Sequence, residues 1–444
     1  MNLRSKEFFG GGLPWALGFS LVMLPYSVTL CHAGFFLAIL CWIIEGDWRT
    51  KVQLVKGSWL IKILLVYGVL LLVGLLYTEQ THDGWFSLER KVFLFVMPVV
   101  IASTRSITQL HVRRIFWLFV ASCLLVALIC LVNAVGDWNA YRTGSFPADH
   151  LYFLDPNNVE LMKTRGIWFF LSYIPLASAI SIHPTYLSLY MSFCCVFIFF
   201  ELPHIRHTAV RCAGIALAIL FAAFLSLLAS RVIMIAVLLL LSAFVLGHIP
   251  RQNLITRIAI GMAIVVVLSV MLGNPISRKR QLQEVVSTPL AVQDDHVYAN
   301  SIGIRVSLWW LGWQSYVHGN VLVGNGTGDV LHVMEGAARS HGISNILNTY
   351  DPHNQYLYIL IGNGLLAFAA FVLYLMIPAF RAWQSGEWLM VAFTFLIAMT
   401  CFTETVLELQ KGIAFFALVH PLLAFRWAPR NAYSQPFVLS SAES

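Results

Sequence analysis

Leu13 to Ile44 passes without one Asp, Glu, Lys or Arg, and the chain returns to such stretches until its end. A run of that kind restricts the fold severely, because a bilayer is the solvent that accepts it and an α-helix satisfies its backbone there. Apolar stretches of roughly 12–23 residues, the range a bilayer needs when short or tilted helices are allowed, recur twelve times. They lie near 13–29, 30–44, 59–77, 92–103, 114–135, 184–201, 209–229, 232–248, 255–273, 355–378, 388–402 and 412–425. Hydrophobic residues make up 59% of the 444 residues and charged ones 11%, more apolar surface than a water-soluble fold can hide. The expectation is an all-α polytopic membrane protein with about twelve transmembrane helices. Membrane lipids are its surroundings, and no nucleic-acid partner is expected. The eight cysteines fall in or beside apolar runs, which argues against a disulfide framework or a zinc site. Arg4 and Lys6 precede the first run, which lacks an evident small-residue cleavage site, so an uncleaved helical hairpin is expected at the start.

Basic residues give an orientation. Arg4 and Lys6, Arg49 to Lys56, Arg105 to Arg114, Arg206 and Arg211, Arg251 and Arg257, Arg381, and Arg426 and Arg430 fall on every second connection. These should face the cytoplasm, with both termini inside. Three regions follow. Residues 1–273 hold helices one to nine with an outer loop near 136–183. Residues 274–354 form a large, partly helical outer loop carrying candidate site residues. Residues 355–444 hold helices ten to twelve and a cytoplasmic tail.

The outer side carries the chemistry. His353 lies in Tyr350-Asp351-Pro352-His353-Asn354-Gln355, at the end of the long polar stretch and at the mouth of the tenth apolar run. An imidazole ordinarily titrates near pH 6.5, so one at a membrane–water boundary suits proton transfer. The bland alternative is a helix-start histidine partnered by Asn354. Arg231, in Ala229-Ser230-Arg231-Val232, is the only charge in a tight turn between two apolar runs. It either snorkels to lipid headgroups or binds an anion. The loop 274–354 reads as a small folded unit. Trp309, Trp310, Trp313 and Tyr316 give an amphipathic helix with Arg305 one turn before Trp309. This helix is either an interfacial belt or a sugar-stacking surface. Gly324-Asn325-Gly326-Thr327-Gly328 follows, a turn that permits close backbone approach to a phosphate or sugar, although such turns usually only turn. Asp294-Asp295-His296 reads first as a solvated acidic turn and second as a metal site. No Asp-x-Asp pair sits at a membrane boundary, so neither a metal nor another cofactor is expected.

Taken together these residues resemble bacterial O-antigen ligases and the related O-antigen polymerases. The pattern in that superfamily is His-Asn (or Ser or Gln), nine residues, Gly, two residues, then Gly, Thr or Tyr. Here it reads His353-Asn354, nine residues, Gly364, two residues, Ala367, the last a small-for-small departure. Ser230-Arg231, the series Arg305, Trp309, Gly324-x-Gly326-x-Gly328, and His183-Pro184-Thr185-Tyr186 are also similar, in the same order. The resemblance covers most of the chain, and one dominant late outer loop suits a ligase better than a polymerase.

The resemblance implies glycosyl transfer on the periplasmic face of a bacterial inner membrane. The donor would be O-antigen polysaccharide on undecaprenyl diphosphate, and the acceptor a sugar hydroxyl of lipid A–core. The anomeric centre would invert, with no metal and no ATP. On that reading His353 takes the acceptor proton, while Arg231 and Arg305 clamp the diphosphate. Arg90 and Lys91 add cationic contacts at the outer end of the fourth span, with headgroup anchoring as the alternative. Asn354, Gly324, Gly326 and Trp309 complete the substrate-binding set. Glu404 or Glu408 orients His353 or meets the acceptor, unless Glu408 simply pairs with Lys411. Three rivals stay open: a polymerase, a protein O-oligosaccharyltransferase with the same donor, and a transporter of lipid-linked sugar. The last is disfavoured because the sequence shows no convincing internal repeat and its basic residues gather near the two surfaces.

Overall fold

The computed structural model describes residues 3–147, 156–248, 261–262, 265, 269, 273–275, 301–342 and 350–427. Among them the regular structure is helical throughout. All the apolar stretches read from the sequence lie on helices except 255–273, most of which is outside the described residues, as is Asp294-Asp295-His296. Five helices are long and apolar enough to cross a membrane, or six if one bent pair counts as a single span, which makes the chain a multi-pass membrane protein. The expected number, about twelve, is therefore not reached among the described residues. Gly11–Met23, Arg231–Ala243 and Trp388–Cys401 are apolar but shorter.

One compact unit comprises Met1–Ile115, Leu308–Thr394 and Glu404–Ser444. It opens with α1 (Leu3–Met23) and α2 (Val28–Glu45), which pack on each other. The turn between them contains Pro25 and ends at Ser27, whose hydroxyl caps α2 by accepting from the Leu30 amide at 3.3 Å. The break thus falls a few residues earlier than the apolar pattern alone suggests. α3 (Trp48–Gly57) and α4 (Trp59–Leu75) are bent by 80° across Ser58, and they form the bent pair. α5 (Thr81–Ser103) runs for 23 residues, so the run read at 92–103 is only its second half. Arg90 and Lys91 therefore lie in the middle of a helix, because the polar first half continues the same helical backbone. α6 (Gln109–Thr143) begins in this unit.

The other unit comprises Phe116–Ser307 and Phe395–Thr403. It holds most of α6, then α7 (Pro156–Arg165), α8 (Pro184–Glu201), α9 (Thr208–Leu228) and α10 (Arg231–His248). α8 is apolar around its whole circumference and buried on almost every face, as such a helix must be. Phe193 and Phe197 on α8 meet Phe116 edge-on, with centroids 5.1 and 5.5 Å away.

The late helices are α11 (Ser301–Val317), α12 (Val330–Ser340), α13 (Gln355–Ser385), α14 (Trp388–Cys401) and α15 (Gln410–Leu422). In the first unit α13 packs on α4, and α15 on α5. α13 is not continuous, because Gly364 adopts φ 70°, ψ −171° and breaks it. A broken helix in lipid must find partners for the backbone groups it releases. The segment 321–326 supplies them. Leu365 and Leu366 donate to the carbonyls of Val321 and Leu322, while Asn325 and Gly326 donate to those of Ile361 and Gly362, over 2.9–3.2 Å. Gly364 is required on two counts: its conformation disfavours any Cβ, and a Cβ would overlap the Leu322 carbonyl and the Val323 amide.

Candidate active site

Proline at 352 keeps Asp351 out of the helical region, so α13 cannot start earlier. Asn354 starts it, its side-chain oxygen accepting from the amides of Tyr356 at 2.9 Å and Leu357 at 3.1 Å. Asn354 is buried in this capping role. Between them His353 is held at φ 43°, in left-handed space that a histidine rarely occupies. The Asp351 carboxylate holds that conformation by accepting from the His353 amide at 2.8 Å. Its other oxygen accepts from the Thr405 hydroxyl at 2.6 Å.

The imidazole meets carboxylates from two segments. Nδ1 lies 3.2 Å from Oε2 of Glu404 and 3.6 Å from Oδ1 of Asp351. Glu404 comes from the short connection between α14 and α15, and its side chain is 9% exposed against 31% for His353. The imidazole is thus fixed at one nitrogen by a nearly buried carboxylate and reaches solvent at its edge. With Nδ1 carrying the hydrogen toward Glu404, Nε2 is the basic atom. The Tyr350 ring stands 6.1 Å away.

Glu408 lies deeper on the same connection. It does not pair with Lys411, the simple alternative read from the sequence. Its Oε2 is 2.5 Å from Nζ of Lys91, and its Oε1 accepts from Gln355 Nε2 at 3.1 Å. Nothing local in the sequence announces the Lys91–Glu408 pair, because Lys91 directly follows Glu89 and Arg90 and reads as one charge of a polar helix face. Arg90 points elsewhere and lays its guanidinium over the Phe86 ring at 4.5 Å.

The glycine-rich turn occupies itself. The amides from Gly324 to Asp329 all donate within the chain: to Asn320, Ile361, Gly362, Gly74, the Thr78 hydroxyl and Gly326 in turn. A substrate at Gly324 or Gly326 would therefore meet carbonyls and Cα surface, not open N–H groups. Asp329 closes the turn against the start of α5, its two oxygens accepting from the amides of Glu79 at 2.9 Å and Gln80 at 2.7 Å. Trp309 is half-buried on α11, and Gly312 on the same helix approaches Pro352, Leu357 and Ile361.

Arg231 and Arg305 belong to the second unit. Arg231 is the first residue of α10, entered through Ala229 at φ 51°, and Arg305 sits one turn before Trp309 on α11; both are half-buried. An arginine at a helix N-terminus adds its charge to the positive end of the backbone dipole, which favours an anion there.

Residues 216–372 match the family model described as O-antigen ligase. Over that segment the chain is similar to the O-antigen ligase and polymerase superfamily. The matched segment contains Arg231, Arg305, the glycine-rich turn and His353, and it ends just past the break at Gly364. Arg90, Lys91, Glu404 and Glu408 lie outside it. No curated protein matches the chain.

Proposed function

We propose that the protein is an O-antigen ligase, moving a polysaccharide from undecaprenyl diphosphate to a sugar hydroxyl of lipid A–core at the periplasmic face of the inner membrane. The observation that carries this reading is the His353 Nδ1–Glu404 Oε2 contact at 3.2 Å, within a chain whose family transfers glycans. A lipid diphosphate is already an activated leaving group, so the protein needs one base and charge stabilisation. The acceptor hydroxyl gives its proton to Nε2 of His353 as its oxygen attacks the anomeric carbon. The bond from that carbon to the diphosphate oxygen breaks on the opposite face, which inverts the centre. The electron pair leaves with the polyprenyl diphosphate, and Arg231 and Arg305 take up its growing charge in the role a metal plays in other transferases. Glu404 keeps the imidazole in the reactive tautomer and stabilises the imidazolium that forms.

The test is to supply purified protein with lipid-linked polysaccharide and either core-lipid or repeat-unit acceptor. Extension of the core lipid, lost in His353→Ala, is the expected result. Extension of the repeat unit alone would make it a polymerase, and an active His353→Ala enzyme would remove the base.

A further inference from the structure

Arg90 and Lys91 are adjacent in sequence, and both were read as cations for the substrate. Their surroundings separate them. Lys91 is 2% exposed. Its ammonium lies 2.5 Å from Glu408 Oε2, donates to Ser87 Oγ at 2.6 Å, and stands 5.7 Å from the centre of the Tyr358 ring. A diphosphate reaching it would have to break a buried ion pair and leave Glu408 without its counter-charge, which is costly.

The pair sits at the foot of a side-chain ladder between residues 351–355 and residues 404–408. Glu404 meets His353, Thr405 donates to Asp351, the Leu407 amide donates to Gln355 Oε1 at 2.7 Å, and Gln355 donates to Glu408. Gln355 is fully buried, so both ends of its amide are committed to this connection. Lys91 ties the ladder to α5 by charge. We infer that Lys91 is a positioning residue: through Glu408 and Gln355 it fixes the 404–408 connection so that Glu404 stays on His353. This rests on His353 acting as the base.

The difficulty in testing it is that Lys91→Met strands a buried carboxylate and can unfold the protein. The double variant Lys91→Met with Glu408→Gln avoids this, because it removes both charges together while the new amide still accepts from Gln355. The measurement is kcat and donor KM for Glu408→Gln, the double variant and His353→Ala, with undecaprenyl-diphosphate-linked polysaccharide and core-lipid acceptor. Glu408→Gln should lose about 100-fold in kcat with donor KM within about twofold, the signature of a displaced catalytic group. The double variant should fold and keep donor KM within about twofold but still lose about tenfold in kcat, since no buried charge is stranded yet the ion pair that fixes the 404–408 connection to α5 is gone. A double variant with donor KM raised tenfold or more would show that Lys91 touches the diphosphate, and would overturn the inference. So would a Glu408→Gln enzyme, or a double variant, with the parent's kcat. A double variant that fails to accumulate as a monodisperse species also counts against it, since the pair would then hold the fold and not the connection. An active His353→Ala would instead remove the base assignment on which the inference rests, whichever way the Lys91 series falls.

Discussion

Gly364→Ala isolates how much stability the broken helix draws from the loop that fills it. Alanine at φ 70°, ψ −171° enters a backbone region occupied almost only by glycine, at a cost of about 1–3 kcal/mol. The new Cβ would also overlap the backbone of Leu322 and Val323. Relieving that overlap draws the loop away from the break and endangers the four backbone hydrogen bonds between 321–326 and 361–366. At about 0.5–1.5 kcal/mol each, losing all four adds roughly 2–6 kcal/mol. A loss near 5 kcal/mol lies at the lower limit of the total stability of a typical domain, roughly 5–15 kcal/mol. Gly386→Ala is the matched control. Gly386 also has positive φ, 76°, but nothing lies within 4 Å of a Cβ placed there. It should cost only the left-handed penalty, about 1–2 kcal/mol. The assay is the temperature at which detergent-purified protein stops eluting as a monodisperse peak. Gly364→Ala should fall far below Gly386→Ala or fail to accumulate. If the two variants lose the same few degrees, the loop is not what sustains the break, and the reasoning is refuted.

Glu404→Gln keeps the shape beside His353 and removes the charge, so kcat should fall by about 10- to 100-fold with both KM values little changed, as for a lost partner of a catalytic group. Parent-level turnover would show that Glu404 does not support the imidazole. Arg231→Ala and Arg305→Ala should each lower kcat/KM for the lipid diphosphate by about 100-fold or more, within the range for removing a charge-stabilising donor. Normal turnover in both variants would end the anion-clamp assignment, and direct titration with the lipid-linked donor would separate binding from chemistry.

Much of the helical layout was legible in the sequence because an apolar run in lipid has one common solution. The ends of those runs were less legible. The first half of α5 carries Asp83, Glu89, Arg90 and Lys91, so hydropathy lost sight of it although its backbone is helical. The break in α13 was visible only as a glycine in a spacing. Its purpose depends on residues 321–326, which approach it from another part of the chain. His353 and Asn354 stood out by type and place, and Asn354 turned out to start the helix while His353 stands just before it. Glu404 and Glu408 were equivalent candidates by sequence. Glu404 meets His353, and Glu408 is spent on Lys91 and Gln355.

Taken alone, the order of residues decided the solvent and the helical class, because hydrophobic runs and their backbone needs are local properties. It also marked the imidazole, the arginines and the glycines. What the three-dimensional packing decided was partnership. Neighbours on a helix point about 100° apart. Arg90 and Lys91 therefore reach different surroundings, one a phenyl ring and the other a buried carboxylate. No spacing rule foretells that a lysine on α5 will meet a glutamate 317 positions later, because such a meeting depends on how whole helices pack.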